Sequence, residues 1–326
     1  MIYKRISSFT AVLLFCLGAH IIGAQITGAH ADTVISHKTA GLEYPENTLE
    51  GFRASLAMDV DAIELDLHIT RDKQIVLHHD PVLSSYNCFP ENDKQRLIVA
   101  QSTLSELKAL RCHNHKLSRD YQLPTFLQVL EEYEKSDQTK ALYIEIKVWD
   151  ELIENNPLHK GLTISDMHYP DDEVASLVLA DIRRFDLSGD IVFNSFSRDL
   201  LLALKDREKA NENFQYGLLY KGEYAPWTLG LIALFSPLEC YDSCWKPDYK
   251  EVSAWVEEHN IDYLIPNFAQ LNNFLFRWSY RRHIDSKEHS FGIIPWTLNT
   301  DKSWREYHNY HFDGIITDLP THYLSE

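Results

Sequence analysis

Glu64 and Asp66 lie two residues apart in the apolar run Ala62-Ile63-Glu64-Leu65-Asp66-Leu67. In an extended strand, side chains at i and i+2 share a face, so both carboxylates point the same way, roughly 7 Å apart along the chain. Two acids aimed at one place with little basic sequence nearby invite a divalent cation. Taken alone, the pair also fits an ordinary solvated strand face. A second run, Gln74-Ile75-Val76-Leu77, ends in His78, His79 and Asp80. Imidazoles give and take protons near neutral pH. Adjacent strand residues face opposite ways, so only one of the two histidines can enter a site with the acids. Glu145 and Lys147 repeat the same-face spacing in a third run. A buried glutamate needs a counter-charge, which is either a cation or a salt bridge to Lys147. His37 and Lys38 follow an earlier apolar stretch. Acids, histidines and lysines of this kind, if brought together, suit metal-assisted proton chemistry on a small anion.

Elements must hold these groups. Short β-branched or aromatic runs predict strands over 34–37, 62–67, 74–78, 142–147, 191–194, 215–220, 263–266, 292–297 and 314–317. Helical patterns fall between several of them, at 48–58, 125–133, 174–185 and 249–259. Alternation of this kind implies a parallel sheet. With eight or so units, a closed (β/α)8 TIM barrel is the natural architecture, and an open doubly wound sheet is its rival. In such a barrel the active site gathers at the C-terminal ends of the strands. His37 would end the first strand, Glu64 and Asp66 the second, Glu145 and Lys147 the third. A polar stretch at about 84–122 interrupts the alternation as a short insertion after the second strand, and 150–169 and 227–245 read as further loops.

The motifs occur in a recognisable order. His37-Lys38, Pro45-Glu46-Asn47-Thr48, Ile63-Glu64-Leu65-Asp66, Thr70-Arg71-Asp72 and Val76-Leu77-His78-His79-Asp80 come first. The segments LPTFLQVLE from Leu123, LYIEIK from Leu142, NSFS from Asn194, PWTLN from Pro295 and DGIITDLP from Asp313 follow. This ordered set resembles the glycerophosphodiester phosphodiesterase family, from about Val34 to Pro320. The resemblance implies the same barrel, with Glu64, Asp66 and Glu145 as metal ligands and His37 and His79 as the catalytic pair. The match to a His-Asp motif favours His79 over His78. It also implies hydrolysis of glycerophosphodiesters to sn-glycerol 3-phosphate and an alcohol. The attacking group is either water or the substrate's own glycerol hydroxyl. Oxygen-only ligands accept one divalent cation, and an exported protein meets more Ca²⁺ than Mg²⁺, so Ca²⁺ is preferred.

Two positions depart from the family pattern. Lys38 stands where the family has arginine, and Thr39 where it has glycine. Arginine grips phosphate through a two-donor fork, whereas lysine offers a point charge. Either Lys38 still binds the phosphate or Lys147 takes over that work. Trp296 and Asn299 match the family's Trp-Thr-x-Asn segment, and would form the wall and a hydrogen-bonding edge of the glycerol pocket, with core packing the alternative for Trp296. His68 shares the face of Glu64 and Asp66, and reads as a barrel-core histidine or a support to the site. Cys112-His113-Asn114-His115 has metal-ligand composition but sits in the polar insertion, which favours a surface loop.

Composition sets the compartment and the partners. The 326 residues are 44% hydrophobic, enough for one large domain. Lys4 and Arg5, an apolar run over 11–24 and small residues at Ala29-His30-Ala31 form the pattern of a secretory signal peptide, cut before Asp32, with an uncleaved anchor as the alternative although the run is short for a membrane span. Residues 32–326 would then be the catalytic domain of an exported protein, periplasmic or secreted. Removing residues 1–31 takes away Lys4 and Arg5 and no acid, moving the formal charge from −17 to −19. Such a chain is a poor partner for nucleic acid and, as a whole, for an anionic membrane surface. Cys88, Cys112, Cys240 and Cys244 would remain, with Cys88–Cys112 and Cys240–Cys244 the local pairing and four reduced thiols the alternative. Two rival functions stand beside the first. One is a lysophospholipase D-like activity, for which the apolar stretch 227–245 could line an acyl groove or grip a membrane. The other is a non-catalytic exported binding protein. The oligomeric state is left open by the sequence.

Overall fold

The computed structural model describes residues 33–83, 88–89, 97–148, 162–224 and 245–324. The expected leader, Cys240–Cys244 and nearly all of 227–245 lie outside the described residues. Residues 32–326 form one compact unit. Eight parallel strands carry it: β1 (Thr33–Ser36), β2 (Ala62–Ile69), β3 (Ala141–Ile146), β4 (Ile191–Ser195), β5 (Gln215–Tyr220), β6 (Tyr263–Pro266), β7 (Gly292–Ile293) and β8 (Gly314–Thr317). Each pairs in parallel with its neighbour in the order β7-β6-β5-β4-β3-β2-β1-β8. The gap between β7 and β8 is bridged by backbone hydrogen bonds from Asp313 to Ile293 (2.8 Å), Ile316 to Pro295 (3.0 Å) and Leu298 to Ile316 (3.0 Å). The sheet is therefore a nearly closed barrel, as the strand–helix alternation predicts.

A helix follows each strand: α1 (Leu49–Ala57), α2 (Phe126–Ser136), α3 (Asp171–Ile182), α4 (Arg198–Lys205), α5 (Tyr249–Glu258), α6 (Phe274–Tyr280), α7 (Asp301–Tyr307) and α8 (Pro320–Leu324). Local chemistry starts several of them. Thr48 accepts from the Gly51 amide at the start of α1, and Thr125 with Gln128 forms a capping box on α2. Gly51 is needed there, because a Cβ would sit 2.4 Å from the Thr39 carbonyl oxygen.

The run over 74–78 forms a strand, Ile75–Leu77, outside the eight of the barrel: it folds back antiparallel on the end of β2, with Leu67 opposite Leu77. The connection from Ile69 to Ile75 is too short for the crossover a parallel strand requires, and Lys73 turns it at φ 60°. Glu64 and Asp66 consequently lie in mid-strand, since this hairpin extends β2 to Ile69. The strand predicted over 292–297 is regular only over Gly292–Ile293, although its backbone stays bonded to β6 through Ile294 on the Leu264 carbonyl (3.1 Å) and Trp296 on the Pro266 carbonyl (3.0 Å). The polar insertion contains the helix Leu104–Lys108 and the strands Cys88–Phe89, Arg111–Asn114 and Arg119–Tyr121, with Cys88 and Cys112 joined in a disulfide. Cys112 is thereby lost as a metal ligand, and His113 pairs with Asp120 at 2.6 Å.

Two apolar layers result. An outer one lies between strands and helices, with Phe52, Phe126, Phe193 and Tyr249 fully buried in it. An inner one plugs the barrel with Ile35, Ala62, Tyr143, Val192, Leu219, Ile265, Ile294 and Ile316.

Candidate active site

The inner plug determines what sits above it. Side chains alternate along a strand, so the residue two places on from an interior residue again points inward, one layer nearer the C-terminal end. From Ile35, Ala62, Tyr143, Val192, Leu219, Ile294 and Ile316 that step reaches His37, Glu64, Glu145, Asn194, Lys221, Trp296 and Asp318. All seven line one cavity of about 350 Å³, together with Lys38, His79 and Lys147. An apolar floor carries a polar layer directly above it.

The carboxylates converge. Glu64, Asp66 and Glu145 are all buried and each offers an oxygen within 4.8 Å of the others. Asn47 clasps Asp66 twice: its Nδ2 donates to Oδ2 at 2.7 Å, and its Oδ1 accepts from the Asp66 amide at 3.0 Å. Asn47 does so at φ 56°, a left-handed conformation that asparagine tolerates. Lys147 stands among the acids, with Nζ 2.8 Å from Asp66 Oδ1 and 2.5 Å from Glu145 Oε1. Burial alone would raise the Asp66 carboxyl, but Lys147 holds it far below the ordinary range. Burial alone would likewise lower Lys147, yet Asp66, Glu145 and Glu64 hold it above an ordinary lysine. Glu64 goes the other way: burial, then the charges of Asp66 and Glu145, push its carboxyl well up. Its Oε2 accepts from the Lys38 amide at 2.7 Å, whereas its buried Oε1 has no partner. Three buried carboxylates, one ammonium and an orphaned oxygen leave a net negative, all-oxygen cluster. A hard divalent cation fits that cluster.

The turn after β1 brings Lys38 into place. Lys38, Thr39 and Ala40 have φ values of 49°, 59° and 62°, an uncommon run of left-handed non-glycine residues. It aims the Lys38 amide at Glu64 and leaves the Lys38 side chain on the cavity wall, with Nζ 3.6 Å from Glu46. Lys38 therefore faces the cavity rather than solvent, while Lys147 is engaged by two acids.

Each cavity histidine is backed by a carboxylate. His37 Nδ1 lies 2.7 Å from Asp318 Oδ1, and its Nε2 lies 3.9 Å from Glu64. Burial would raise Asp318, but His37 and the Asn299 amide hold it low, so it accepts and the Nδ1–H of His37 donates. Asn299 fixes Asp318 from both ends, donating to Oδ2 at 2.5 Å and accepting from its amide at 2.9 Å. His79 Nδ1 lies 3.0 Å from Asp80 Oδ1. Burial first, then Lys147 and Lys38, lowers the His79 pKa and favours its neutral form.

Other predicted residues have distinct places. His78 turns aside, its Nδ1 2.7 Å from the Asp80 carbonyl. His68 is buried below the cavity and its Nε2 reaches the His79 carbonyl at 3.1 Å, so it braces the backbone that carries His79. Burial lowers its pKa to about 3, which keeps it a neutral donor. Trp296 walls the cavity with its indole N–H on the Ile265 carbonyl at 3.1 Å and its ring edge-on to Phe196.

Sequence reasoning missed the partners rather than the principals. Asp80 was visible as the neighbour of His79, and Asn47 and Asp318 lay inside quoted motifs without an assigned role. Asn299, expected at the edge of the glycerol pocket, clamps Asp318, whose histidine is 281 residues away.

The model of the glycerophosphoryl diester phosphodiesterase family matches residues 37–322. A glycerophosphodiester phosphodiesterase from Caldanaerobacter subterraneus subsp. tengcongensis is 24% identical over 291 residues, 88% of this chain and 94% of the relative. Among solved structures, an Oleispira antarctica phosphodiesterase in complex with the product sn-glycerol-3-phosphate superposes with a TM-score of 0.60 at 16% identity, covering 90% of this chain and 95% of that one. A glycerophosphodiester phosphodiesterase from Thermotoga maritima does so with a TM-score of 0.56 at 20% identity, covering 90% and 97%. At these identities the solved structures speak for a shared barrel fold.

Proposed function

This chain belongs to the glycerophosphoryl diester phosphodiesterase family, and from that premise we propose that it is an exported, metal-dependent hydrolase of glycerophosphodiesters. The products are sn-glycerol 3-phosphate and the free alcohol. The observation that carries the reading is the joining, in one cavity, of a partner-deficient carboxylate cluster and two carboxylate-backed histidines.

Glu64, Asp66 and Glu145 are the residues that hold the cation, and Ca²⁺ suits them and an extracellular setting. When bound, it offsets charge on the phosphoryl oxygens of an anionic diester. The chain supplies the rest. Asp318 and Asp80 fix the Nδ1–H of His37 and His79, so each ring works through Nε2. One imidazole takes the proton of the attacking oxygen and the other returns a proton to the departing alkoxide. Lys38 contributes positive charge on the wall where an anionic substrate must lie, and Trp296 with Phe196 gives the glycerol a flat apolar boundary. The Cys88–Cys112 disulfide supports an oxidising compartment.

The test is release of glycerol 3-phosphate from glycerophosphocholine with Ca²⁺, with Mg²⁺ and with chelator, beside His37→Ala and His79→Ala. Metal-dependent release that needs both histidines supports the reading. Release unaffected by chelator or by either substitution would discard it, and release only from lysolipid would move the substrate class.

A further inference from the structure

Helix α6 does not hide its apolar residues. Phe276, Ser279 and Tyr280 face the core, yet Phe274, Leu275 and Trp278 on the other side are 68%, 59% and 51% exposed. Between them stand Arg277, Arg281 and Arg282, all exposed, with the Arg282 guanidinium 5.4 Å from the centre of the Trp278 ring. None of the three arginines has a carboxylate partner among the described residues. Most other described arginines have one, as in Arg53–Glu132, Arg183–Glu212 and Arg198–Glu251, and the exceptions Arg111 and Arg305 are far apart in the chain. In a chain of net charge −17, three unpaired arginines interleaved with aromatics make a local exception.

Arg277 and Arg281 also line a separate cavity of about 320 Å³ with Phe268, Asn309, Tyr310 and Glu306. Glu306 lies 3.7 Å from Lys302. The patch begins at the catalytic end of the barrel, since α6 follows the C-terminal end of β6. The segment between them is tied to the rim of the active site. Phe268 donates its amide to the Trp296 carbonyl at 2.6 Å, and Gln270 donates to the Lys221 carbonyl at 2.6 Å.

We propose that the α6 face is a docking surface for an anionic phospholipid bilayer. Phe274, Leu275 and Trp278 enter the headgroup–acyl boundary, while Arg277, Arg281 and Arg282 bind lipid phosphates. Arginine forks match phosphate, and tryptophan suits an interface with one dry and one wet side. Charge complementarity selects the occupant. The net negative charge of the protein opposes its approach to such a membrane, so this face leads, at the active-site end of the barrel.

The test is co-sedimentation of the full chain with vesicles of phosphatidylcholine, with and without phosphatidylglycerol. Binding should need phosphatidylglycerol. The pairs Arg277→Glu/Arg281→Glu and Phe274→Ala/Trp278→Ala should each weaken it by about tenfold or more. Unfolding midpoints and hydrolysis of water-soluble glycerophosphocholine should match the parent. No binding to anionic vesicles, or binding that both pairs retain, overturns the proposal. So does capture by polyglutamate without vesicle binding, which would indicate an acidic protein partner. Absence of hydrolysis in all three proteins would strike the functional reading and leave the vesicle result standing.

Discussion

His37 Nδ1 and Asp318 Oδ1 meet at 2.7 Å although the residues are 281 positions apart, because the first and last barrel strands in the chain, β1 and β8, pair side by side. The contact fixes the tautomer of His37 and directs Nε2 to the cavity. Asp318→Asn keeps the shape but lets the amide favour the wrong tautomer. We expect kcat on glycerophosphocholine to fall by about 10²–10⁴-fold with KM nearly unchanged. Steady-state kinetics decide it: a change in KM alone would mean that Asp318 serves substrate binding instead.

Glu64 has an orphaned oxygen and a raised pKa because burial and two acidic neighbours oppose its charge. A bound cation removes that penalty. Isothermal titration with Ca²⁺ and Mg²⁺ should show one site in the parent, weakened on the order of tenfold or more in Glu64→Gln, where one charged ligand is gone. Equal affinity in the two proteins would remove Glu64 from the ligand set.

Lys147 is the internal counter-charge of the acidic cluster. Lys147→Met leaves three buried carboxylates uncompensated and should lower unfolding stability by about 3–5 kcal/mol in chelator. Saturating Ca²⁺ should recover much of the loss. Denaturant titrations with and without metal test this, and a loss indifferent to metal would show that Lys147 acts through packing.

His68 is neutral in the folded state, its pKa lowered to about 3 by burial, against about 6.5 when unfolded. The unfolded chain therefore binds the extra proton between these values. The stability is complete above pH ~6.5 and is lost as pH falls towards ~3, by an amount on the order of 5 kcal/mol. His68→Gln retains a donor to the His79 carbonyl without the titration, so its stability should vary less across that window. An unchanged slope would place the acid sensitivity elsewhere.

The Cys88–Cys112 disulfide closes a loop with a sequence separation of 24. Reduction, or Cys88→Ala with Cys112→Ala, should cost about 3 kcal/mol of stability. The loss is read from unfolding midpoints with and without reductant. A reductant-insensitive parent beside an equally stable variant would count against the bridge.

By itself the sequence pointed to a parallel barrel and to residues that line its cavity. Period-two spacing placed Glu64 with Asp66 and Glu145 with Lys147 on common faces, and strand–helix alternation led to parallel closure. These are local properties, and a strand's geometry reads them out directly. Ordered motifs then singled out His37, His79 and Trp296, and all three line the cavity. Local pattern could not tell that residues 75–77 turn back as a hairpin, because an apolar run looks the same in either direction. Nor could it find Asp318 behind His37, Asn47 around Asp66, or His68 beneath the His79 carbonyl. The first exists only once β8 pairs with β1, the second once the turn after β1 lies against β2, and the third once the hairpin folds back on β2. The same holds for Glu64: its orphaned oxygen is a property of burial among other acids, which no single segment of chain can encode.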